Sequence, residues 1–217
     1  MTETKKEYDK SLAPVHGSRI NDYSSFFLNL NRYLKYFNIG EINETSKVLD
    51  CGSADNTMEK AFKIYKINVT SFNDNNCNFE SDNLPFPNET FDFVLFTAVI
   101  EHLYNPTKIL NEIKRILKKE GIIIISTTNY NHQVKEFWND PTHKHPYNPI
   151  SLEKLLTLHN YKKIKITPFL YNKPSFYWKL PYWIVSKIPF KNHTFKYLPI
   201  PKFLRGHSTM MLATAFK

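Results

Sequence analysis

Hydrophobic positions along the chain follow two alternating patterns, one with helical spacing and one of short continuous runs. Between about residues 18 and 37 apolar residues recur every three or four positions, which predicts an amphipathic helix ahead of the first strand. Further helices are predicted at 57–65, 105–120 and 151–156. Strands are predicted at 47–49, 67–72, 91–96, 122–126, 162–168 and 209–216. Helices and strands that alternate in this way indicate an α/β protein with a mostly parallel sheet.

Three local features refine these boundaries. Gly121 follows an amphipathic stripe and is predicted to end that helix as a left-handed cap. Ser151 is predicted to cap the next helix. Only nine residues separate Asp74 from Leu84, and a helix plus a strand needs about a dozen or more. One crossover of the sheet is therefore predicted to be abbreviated.

The length of 217 residues favours one α/β domain with a buried core over two domains. We expect residues 1–44 to form an N-terminal extension and helix, and residues 45–217 to form the domain, with an aromatic and basic insertion at about 170–207. No uninterrupted apolar run reaches the length of about 18 residues that indicates a transmembrane helix. The first residues lack the apolar core of a signal peptide, and two cysteines make no disulfide framework. A reducing, cytoplasmic location is expected.

The net charge of +9 is concentrated in one part of the chain. Residues 154–217 contain twelve Lys or Arg and no Asp or Glu, whereas the preceding residues contain 17 basic and 20 acidic groups. This asymmetry predicts a surface for an anionic partner, which would be nucleic acid, a phosphate-bearing substrate or lipid headgroups. A solvated basic face without a partner explains the charge equally well. Aromatic residues interleaved with lysines near 177–187 fit an interfacial segment, a substrate lid, an RNA-stacking surface or an ordinary insertion.

The most informative segment spans residues 47–129. An apolar strand runs into Asp50 and then into a turn of small residues, Cys-Gly-Ser-Ala-Asp-Asn. Leu84-Pro-Phe follows, then Phe91-Asp opens a strand, and Glu101-His follows that strand. This ordered set resembles the class I S-adenosylmethionine (SAM)-dependent methyltransferases of the methyltransferase type 11/23-like kind. Several motifs in the right order are more specific than any one of them.

The resemblance implies a three-layer, doubly wound, mostly parallel seven-stranded sheet (Rossmann-like methyltransferase fold) with the last strand antiparallel, and S-adenosyl-L-methionine as cofactor. Gly52 would stand where a side chain blocks the ligand or demands positive φ. Asn73, with Asp74 beside it, would meet the ribose hydroxyls, and Glu80 or Asp82 would accept from the adenine amino group. The cofactor-binding residues that the resemblance implies are Asp50, Gly52, Ser53, Ala54, Asn73, Asp74, Glu80, Asp82, Asn83, Leu84, Thr97, Ala98, Val99 and His102.

Three positions depart from the family pattern. Ala54 and Asn56 replace glycines, and Asn73 replaces the acid that accepts from the ribose. An amide oxygen is a weaker acceptor than a carboxylate. These changes keep open a second interpretation, a SAM-binding protein that performs no chemistry.

A histidine-containing segment, Asp140-Pro-Thr-His-Lys-His-Pro-Tyr147, resembles a loop of glycan and small-molecule methyltransferases. Such a loop would lie over the methyl group, where a histidine takes a proton from a hydroxyl. His143 is the predicted base, with His145 second, or both hold the loop together. Glu101 and His102 complete the predicted catalytic set, with His102 in a supporting position beneath the cofactor. A metal site built from His132, Asp140, His143 and His145 fits no familiar ligand spacing, so no metal is expected.

The sequence therefore predicts a SAM-dependent methyltransferase that transfers a methyl group in line to a small-molecule or glycan acceptor, at a hydroxyl, with Gly52, Glu101 and Asn129 as positioning residues. The basic region suits an acceptor that is phosphate- or lipid-linked, or peripheral contact with a membrane. RNA modification is the alternative that the same basic region favours. Against RNA, the Asn/Asp-Pro-Pro-aromatic signature of base-amino methylation is absent from the sequence.

Overall fold

The computed structural model describes residues 19–53, 57–73, 77–168, 179–185, 190–191, 205–207 and 210–217. The helices are α1 (Arg19–Tyr36), α2 (Thr57–Lys63), α3 (Thr107–Ile116), α4 (Pro149–Leu158) and α5 (Tyr182–Val185). The strands are β1 (Lys47–Cys51), β2 (Asn68–Phe72), β3 (Phe91–Thr97), β4 (Leu117–Thr128), β5 (Lys162–Pro168), β6 (Phe190–Lys191), β7 (Arg205–His207) and β8 (Met210–Phe216). None of the helices described is long and apolar enough to cross a membrane.

Six of these strands form one mixed sheet in the order β2-β1-β3-β4-β8-β5. Strands β2, β1, β3 and β4 are parallel, whereas β8 runs antiparallel to both β4 and β5. The predicted antiparallel last strand is confirmed, and the sheet described has six strands where the resemblance implied seven. Residues 77–90 contain no helix or strand, so the abbreviated crossover is confirmed for that segment. Strand β2 is therefore an edge strand, and it pairs only with β1 in the sheet described.

The two faces of the sheet bury two separate apolar clusters, because successive side chains of a strand point to opposite faces. On one face, α1 and α2 pack through residues such as Leu30, Leu34 and Phe62 against Val48 and Leu95. On the other face lies the larger cluster, which α3 and α4 cover. Its fully buried members include Leu49, Val94, Phe96, Ile113, Ile125, Leu152 and Leu156. This arrangement confirms the three-layer, doubly wound fold.

Two predicted caps are placed differently by the structure. The helix α3 ends at Ile116 and β4 begins at the next residue, so Gly121 lies inside the strand and its prediction as a helix cap was wrong. A Cβ at Gly121 would approach the backbone oxygen of Lys118 to 2.9 Å, which explains why a residue without a side chain stands there. The positive φ of 60° belongs to Glu120.

The start of α4 carries the second difference. Its N-cap is Asn148, whose side chain accepts a hydrogen bond from the Ser151 amide at 2.9 Å. The Ser151 hydroxyl oxygen in turn accepts from the Asn148 amide at 3.0 Å. Ser151 is therefore the third residue of a capping box rather than the cap itself.

Candidate active site

The carboxyl ends of β1, β2 and β3 meet at one edge of the sheet. Asp50 pairs with Ser71 of β2 and with Leu95 of β3, which places the residues that follow all three strands at a common level. Gly52 follows β1, Asn73 follows β2, and Thr97 ends β3. In an open parallel sheet this edge is where ligands bind. Asp50 itself is buried within the sheet at 4% exposure.

Gly52 has a conformation that the sequence anticipated. Its φ is +95°, a value that strains any residue with a side chain. A Cβ at this position would lie 2.3 Å from Cγ2 of Val99. The amides of Gly52 and Ser53 both donate to the carbonyl oxygen of Phe72, at 2.7 and 3.1 Å. The turn after β1 is therefore tied to β2 and packed closely against the loop after β3.

The end of β3 combines an unsatisfied polar atom with backbone strain. Thr97 Oγ1 is buried and has no hydrogen-bond partner among the described residues. The next residue, Ala98, is exposed and has a φ of +52°, which costs an L-residue about 1–2 kcal/mol. Unsatisfied groups and strained residues of this kind are found at ligand sites.

Glu80 and Asp82, which were predicted to meet the adenine, and the neighbouring Asn83 all have hydrogen-bond partners in the structure. Glu80 Oε1 accepts from the Asn105 amide at 2.5 Å. Asp82 accepts from the Asn78 amide and from the Ser81 hydroxyl, both at 2.8 Å, and the first of these bonds lowers the pKa of the Asp82 carboxyl. Asn83 accepts from the Lys108 ammonium at 2.5 Å. The contact of Glu80 or Asp82 with the adenine stays a prediction, as does the role of Asn83 in cofactor binding.

An arginine and a glutamate of α3 hold the Leu-Pro-Phe motif in place, and neither was predicted from the sequence. Arg115 donates to the carbonyl oxygens of Leu84 (2.9 Å) and Phe86 (2.7 Å) and to Oδ1 of Asn88 (2.8 Å). Glu112 accepts from the Leu84 amide at 2.8 Å and forms a 2.7 Å ion pair with Arg115. The motif is thereby fixed against α3 by backbone hydrogen bonds rather than by apolar packing alone.

Glu101 lies in the 3-10 helix Ile100–His102 directly after β3 and is only 2% exposed. Its Oε2 accepts from the hydroxyl of Thr127, a β4 residue, at 2.8 Å. Burial raises the pKa of the Glu101 carboxyl, although its own backbone amide, the Thr127 hydroxyl and the nearby histidines lower it. Its backbone oxygen accepts from the amides of Lys144 and His145, which ties the histidine-containing loop to this helix.

The ring of His102 is held by a short chain of polar contacts. Its Nδ1 lies 2.9 Å from Oγ1 of Thr142, and that hydroxyl donates to Oδ1 of Asp140 at 2.6 Å. Although burial raises the pKa of Asp140, the hydrogen bonds from Thr142 bring it below its ordinary value, so the carboxylate acts as acceptor. Because the Thr142 hydrogen is directed to Asp140, Nδ1 of His102 must carry the proton. The lone pair of the neutral imidazole is then on Nε2.

His143 is held by a single aromatic residue in two ways. Its Nδ1 donates to the carbonyl oxygen of Phe137 at 2.7 Å, and its ring stacks on the Phe137 ring at 4.3 Å between centroids. A carbonyl can only accept, so the neutral His143 ring also has its lone pair on Nε2. The His102 and His143 rings lie 4.8 Å apart.

The structure thus brings three of the four predicted catalytic residues together, since Glu101, His102 and His143 each place one donor atom within 4.8 Å of the others. His145 lies apart from them, exposed, with its ring 4.8 Å from that of Tyr147. Among the described residues, the group of histidine and carboxylate donor atoms close enough together to hold a metal ion contains His143 but not His132, Asp140 or His145. Asn129 is buried and caps the 3-10 helix Tyr130–His132.

Several predicted features lie outside the described residues. They are Ala54, Asn56, Asp74 and most of the aromatic and basic insertion. Sequence reasoning also missed Phe137 and Thr127, which orient His143 and Glu101. Thr142 and Asp140 belong to the histidine-containing segment that ends at Tyr147, but their role in orienting His102 follows only from the contacts in the structure.

Comparisons with known proteins agree with this geometry. A family model described as "Methyltransferase domain" matches residues 21–166. The uncharacterized protein MJ0638 of Methanocaldococcus jannaschii is 40% identical over 106 residues, which are 48% of this chain and 45% of that protein. The chain therefore spans less than half the length of this curated relative.

Two solved structures share the fold. A SAM-dependent methyltransferase from Archaeoglobus fulgidus has a TM-score of 0.58 at 20% identity. That match covers 88% of this chain and 93% of the Archaeoglobus chain. Phosphoethanolamine N-methyltransferase 2 of Haemonchus contortus, in complex with S-adenosyl-L-methionine, has a TM-score of 0.53 at 15% identity. That match covers 88% of this chain and 52% of the Haemonchus chain.

Proposed function

The chain belongs to the Methyltransferase domain family, and from that premise we propose that it transfers a methyl group from SAM to a hydroxyl of a small-molecule or glycan acceptor. SAM-dependent methyl transfer follows from the family; the hydroxyl and the class of acceptor are our proposal. The observation that carries the proposal is the position of His143, which has a ring nitrogen in the cluster with Glu101 and His102 directly after β3. Its Nδ1 is bound to the Phe137 carbonyl, and its Nε2 lies 3.9 Å from Oδ2 of Asp140.

The described residues at the carboxyl edge suit this cofactor. We propose that the strained turn at Gly52 lets the backbone approach the ligand closely, that Asn73 binds the ribose hydroxyls, and that Thr97 Oγ1 donates to or accepts from the cofactor. Thr97 supports this assignment because its buried hydroxyl has no partner among the described residues, and such a group is costly until a ligand satisfies it. When bound, SAM supplies an already activated methyl group.

The task left to the protein is then to orient the acceptor and remove its proton. Nδ1 of His143 is fixed by the Phe137 carbonyl, so that Nε2 is the atom that would accept the proton of an acceptor hydroxyl. The buried carboxylate of Glu101 would stabilise the resulting imidazolium across the cluster. His102, oriented through Thr142, would be a positioning residue for the acceptor.

The proposal is tested by separating cofactor affinity from turnover. Calorimetric titration with SAM measures the first, and release of S-adenosylhomocysteine with a panel of hydroxyl-bearing acceptors measures the second. We expect His143→Asn to leave the dissociation constant for SAM within about twofold while turnover falls about 10²–10⁴-fold, the usual contribution of a general base. Unchanged turnover in this variant would reject the base assignment.

The matched variant is His145→Ala, in the same loop but outside the cluster. Its side chain is exposed, with its ring 4.8 Å from that of Tyr147, so we expect a much smaller loss of turnover. If wild-type protein binds SAM but methylates none of the hydroxyl acceptors, and instead methylates amines or RNA, the proposed acceptor class is wrong. If it binds SAM and methylates nothing, the non-catalytic interpretation replaces it.

A further inference from the structure

Three side chains that are common metal ligands converge after β3. One donor atom of each of Glu101, His102 and His143 lies within 4.8 Å of the other two. We propose that these three residues bind one divalent transition-metal ion such as Zn²⁺. No metal was expected from the sequence, and the set of His132, Asp140, His143 and His145 that was considered there shares only His143 with this site.

Both histidines are oriented as metal ligands are. A ligating imidazole usually donates its other N–H to a carbonyl, a carboxylate or a similar acceptor, which fixes the ring and the tautomer. His143 donates through Nδ1 to the Phe137 carbonyl, and His102 donates through Nδ1 to the hydroxyl of Thr142. Each neutral ring therefore carries its lone pair on Nε2. The hydrogen bond from the Thr142 hydroxyl to Asp140 in turn holds Thr142 in place beside His102.

The third donor is a carboxylate in surroundings that favour a cation. Glu101 is 2% exposed, and it forms no ion pair with a lysine or arginine in the part of the chain that the structure describes. A buried carboxylate is costly unless it is paired or coordinates a metal. Thr127 satisfies one oxygen, Oε2, through a 2.8 Å hydrogen bond and so fixes the orientation of the carboxylate.

The donor set selects the kind of ion. Two imidazole nitrogens and one carboxylate oxygen suit Zn²⁺ and other first-row transition metals, whereas Mg²⁺ and Ca²⁺ prefer oxygen ligands alone. Zn²⁺ binds such ligands at about 2.0–2.2 Å, so small rotations of the side chains would close the separations seen. Three protein ligands leave a further coordination position open.

Metal binding at these three residues does not depend on whether the methyl acceptor is a hydroxyl. It does have a consequence for the proposed base, because Nε2 of His143 cannot hold a metal ion and accept a proton at once. Zinc is therefore expected to inhibit methyl transfer, while its binding is measurable without any cofactor or acceptor.

The experiment is a competition titration of chelator-treated protein with Zn²⁺ and a chromophoric chelator, in the absence of SAM. We expect one equivalent to bind, and Glu101→Gln and His102→Gln each to weaken binding by at least about tenfold. Thr142→Val, which removes a supporting contact but no ligand, is expected to weaken it about 10–100-fold. His159→Ala is the matched control, since His159 is outside the cluster and its ring contacts Asn111 of α3, and it should leave affinity unchanged.

A spectroscopic measurement separates coordination from loss of fold. Co²⁺ titrated into the wild-type protein should give visible absorption bands of a low-coordinate site, and these bands should be lost in His102→Gln while the melting temperature of the metal-free protein is kept. Mg²⁺ should not compete. Equal Zn²⁺ affinity in wild type, Glu101→Gln and His102→Gln, or a loss of binding as large in His159→Ala, would overturn the proposal.

Discussion

Gly52 and Val99 are packed so closely that no side chain fits between them. A Cβ on Gly52 would lie 2.3 Å from Cγ2 and 3.3 Å from Cβ of Val99. The two residues belong to the turns after β1 and β3, so this contact sets the spacing of two neighbouring loops at the carboxyl edge of the sheet.

Gly52→Ala should destabilise the protein by about 2–5 kcal/mol. A positive φ costs an alanine about 1–2 kcal/mol, and overpacking adds about 1–3 kcal/mol. Urea unfolding of Gly52→Ala, Val99→Ala and the double variant measures the coupling between the positions. We expect Val99→Ala to recover at least about 1 kcal/mol of the loss, whereas purely additive effects would show that the backbone moves apart instead.

Thr97→Val should leave the free energy of unfolding of the ligand-free protein unchanged or raise it by up to about 1 kcal/mol. The reason is that the Thr97 hydroxyl is buried without a partner among the described residues, and replacing such a group by a methyl removes its desolvation penalty. The affinity for SAM should fall about five- to tenfold, which corresponds to one lost hydrogen bond.

The same substitution on the next strand provides the control for Thr97→Val. Thr127 donates to Glu101 at 2.8 Å, so Thr127→Val should lower the free energy of unfolding by about 1–3 kcal/mol because a buried acceptor loses its donor. Chemical unfolding of both variants measures the free energy of unfolding, and calorimetric titration with SAM measures the affinity. A stability loss of equal size in the two variants would mean that Thr97 has a structural partner.

Arg115→Lys should loosen the Leu-Pro-Phe segment even though the charge is kept. Lysine cannot reproduce the planar fork that serves the carbonyls of Leu84 and Phe86 and the carboxylate of Glu112 together. We expect a loss of about 1.5–3 kcal/mol and faster hydrogen exchange at the Leu84 amide. Arg32→Lys, at an exposed position of α1, should change stability by less than about 0.5 kcal/mol.

Glu112 should make stability depend on pH in the acid range. The hydrogen bond from Arg115 is the main reason that the pKa of the Glu112 carboxyl is below its ordinary value of 4.5, and the Leu84 amide lowers it further against the effect of burial. A lowered pKa in the folded protein contributes stability that is fully present above the unfolded value and is lost as pH falls through the folded value. The urea midpoint of wild type should therefore exceed that of Glu112→Gln at pH 6, and the difference should shrink below about pH 4.5.

Glu153→Gln controls for the loss of one carboxylate, because Glu153 is exposed on α4. Its urea midpoint should follow that of the wild type from pH 6 downward. If the advantage of wild type over Glu112→Gln grew as the pH fell, the sign of the pKa change at Glu112 would be the opposite of the one stated here.

Local patterns were enough to predict the alternating helices and strands, since these depend on residues close together in the chain. The positive φ at Gly52 was expected from the resemblance to the methyltransferases, and its close contact with Val99 follows only from the fold. The cap of α4 was misassigned because Asn148 and Ser151 both carry capping side chains, and only geometry shows which one leads. The cluster of Glu101 and His143 depends on contacts between segments some 40 residues apart, such as that between Thr142 and His102. His143 is held by the backbone carbonyl of Phe137. Every residue has such a carbonyl, so the amino-acid sequence gives no sign of this contact.

Strand β8 lies between β4 and β5 rather than at the edge of the sheet. Thr128 at the end of β4 contacts Met210 at the start of β8 across 82 residues of chain. During synthesis, β5 is therefore made well before the strand that joins it to the rest of the sheet. Such long-range pairing is slow to form. In a nascent chain that has passed β5 but not reached Phe216, the two strand edges that β8 later covers, one on β4 and one on β5, are still unpaired. We expect this stage of synthesis to be the one at which the protein depends most on chaperones.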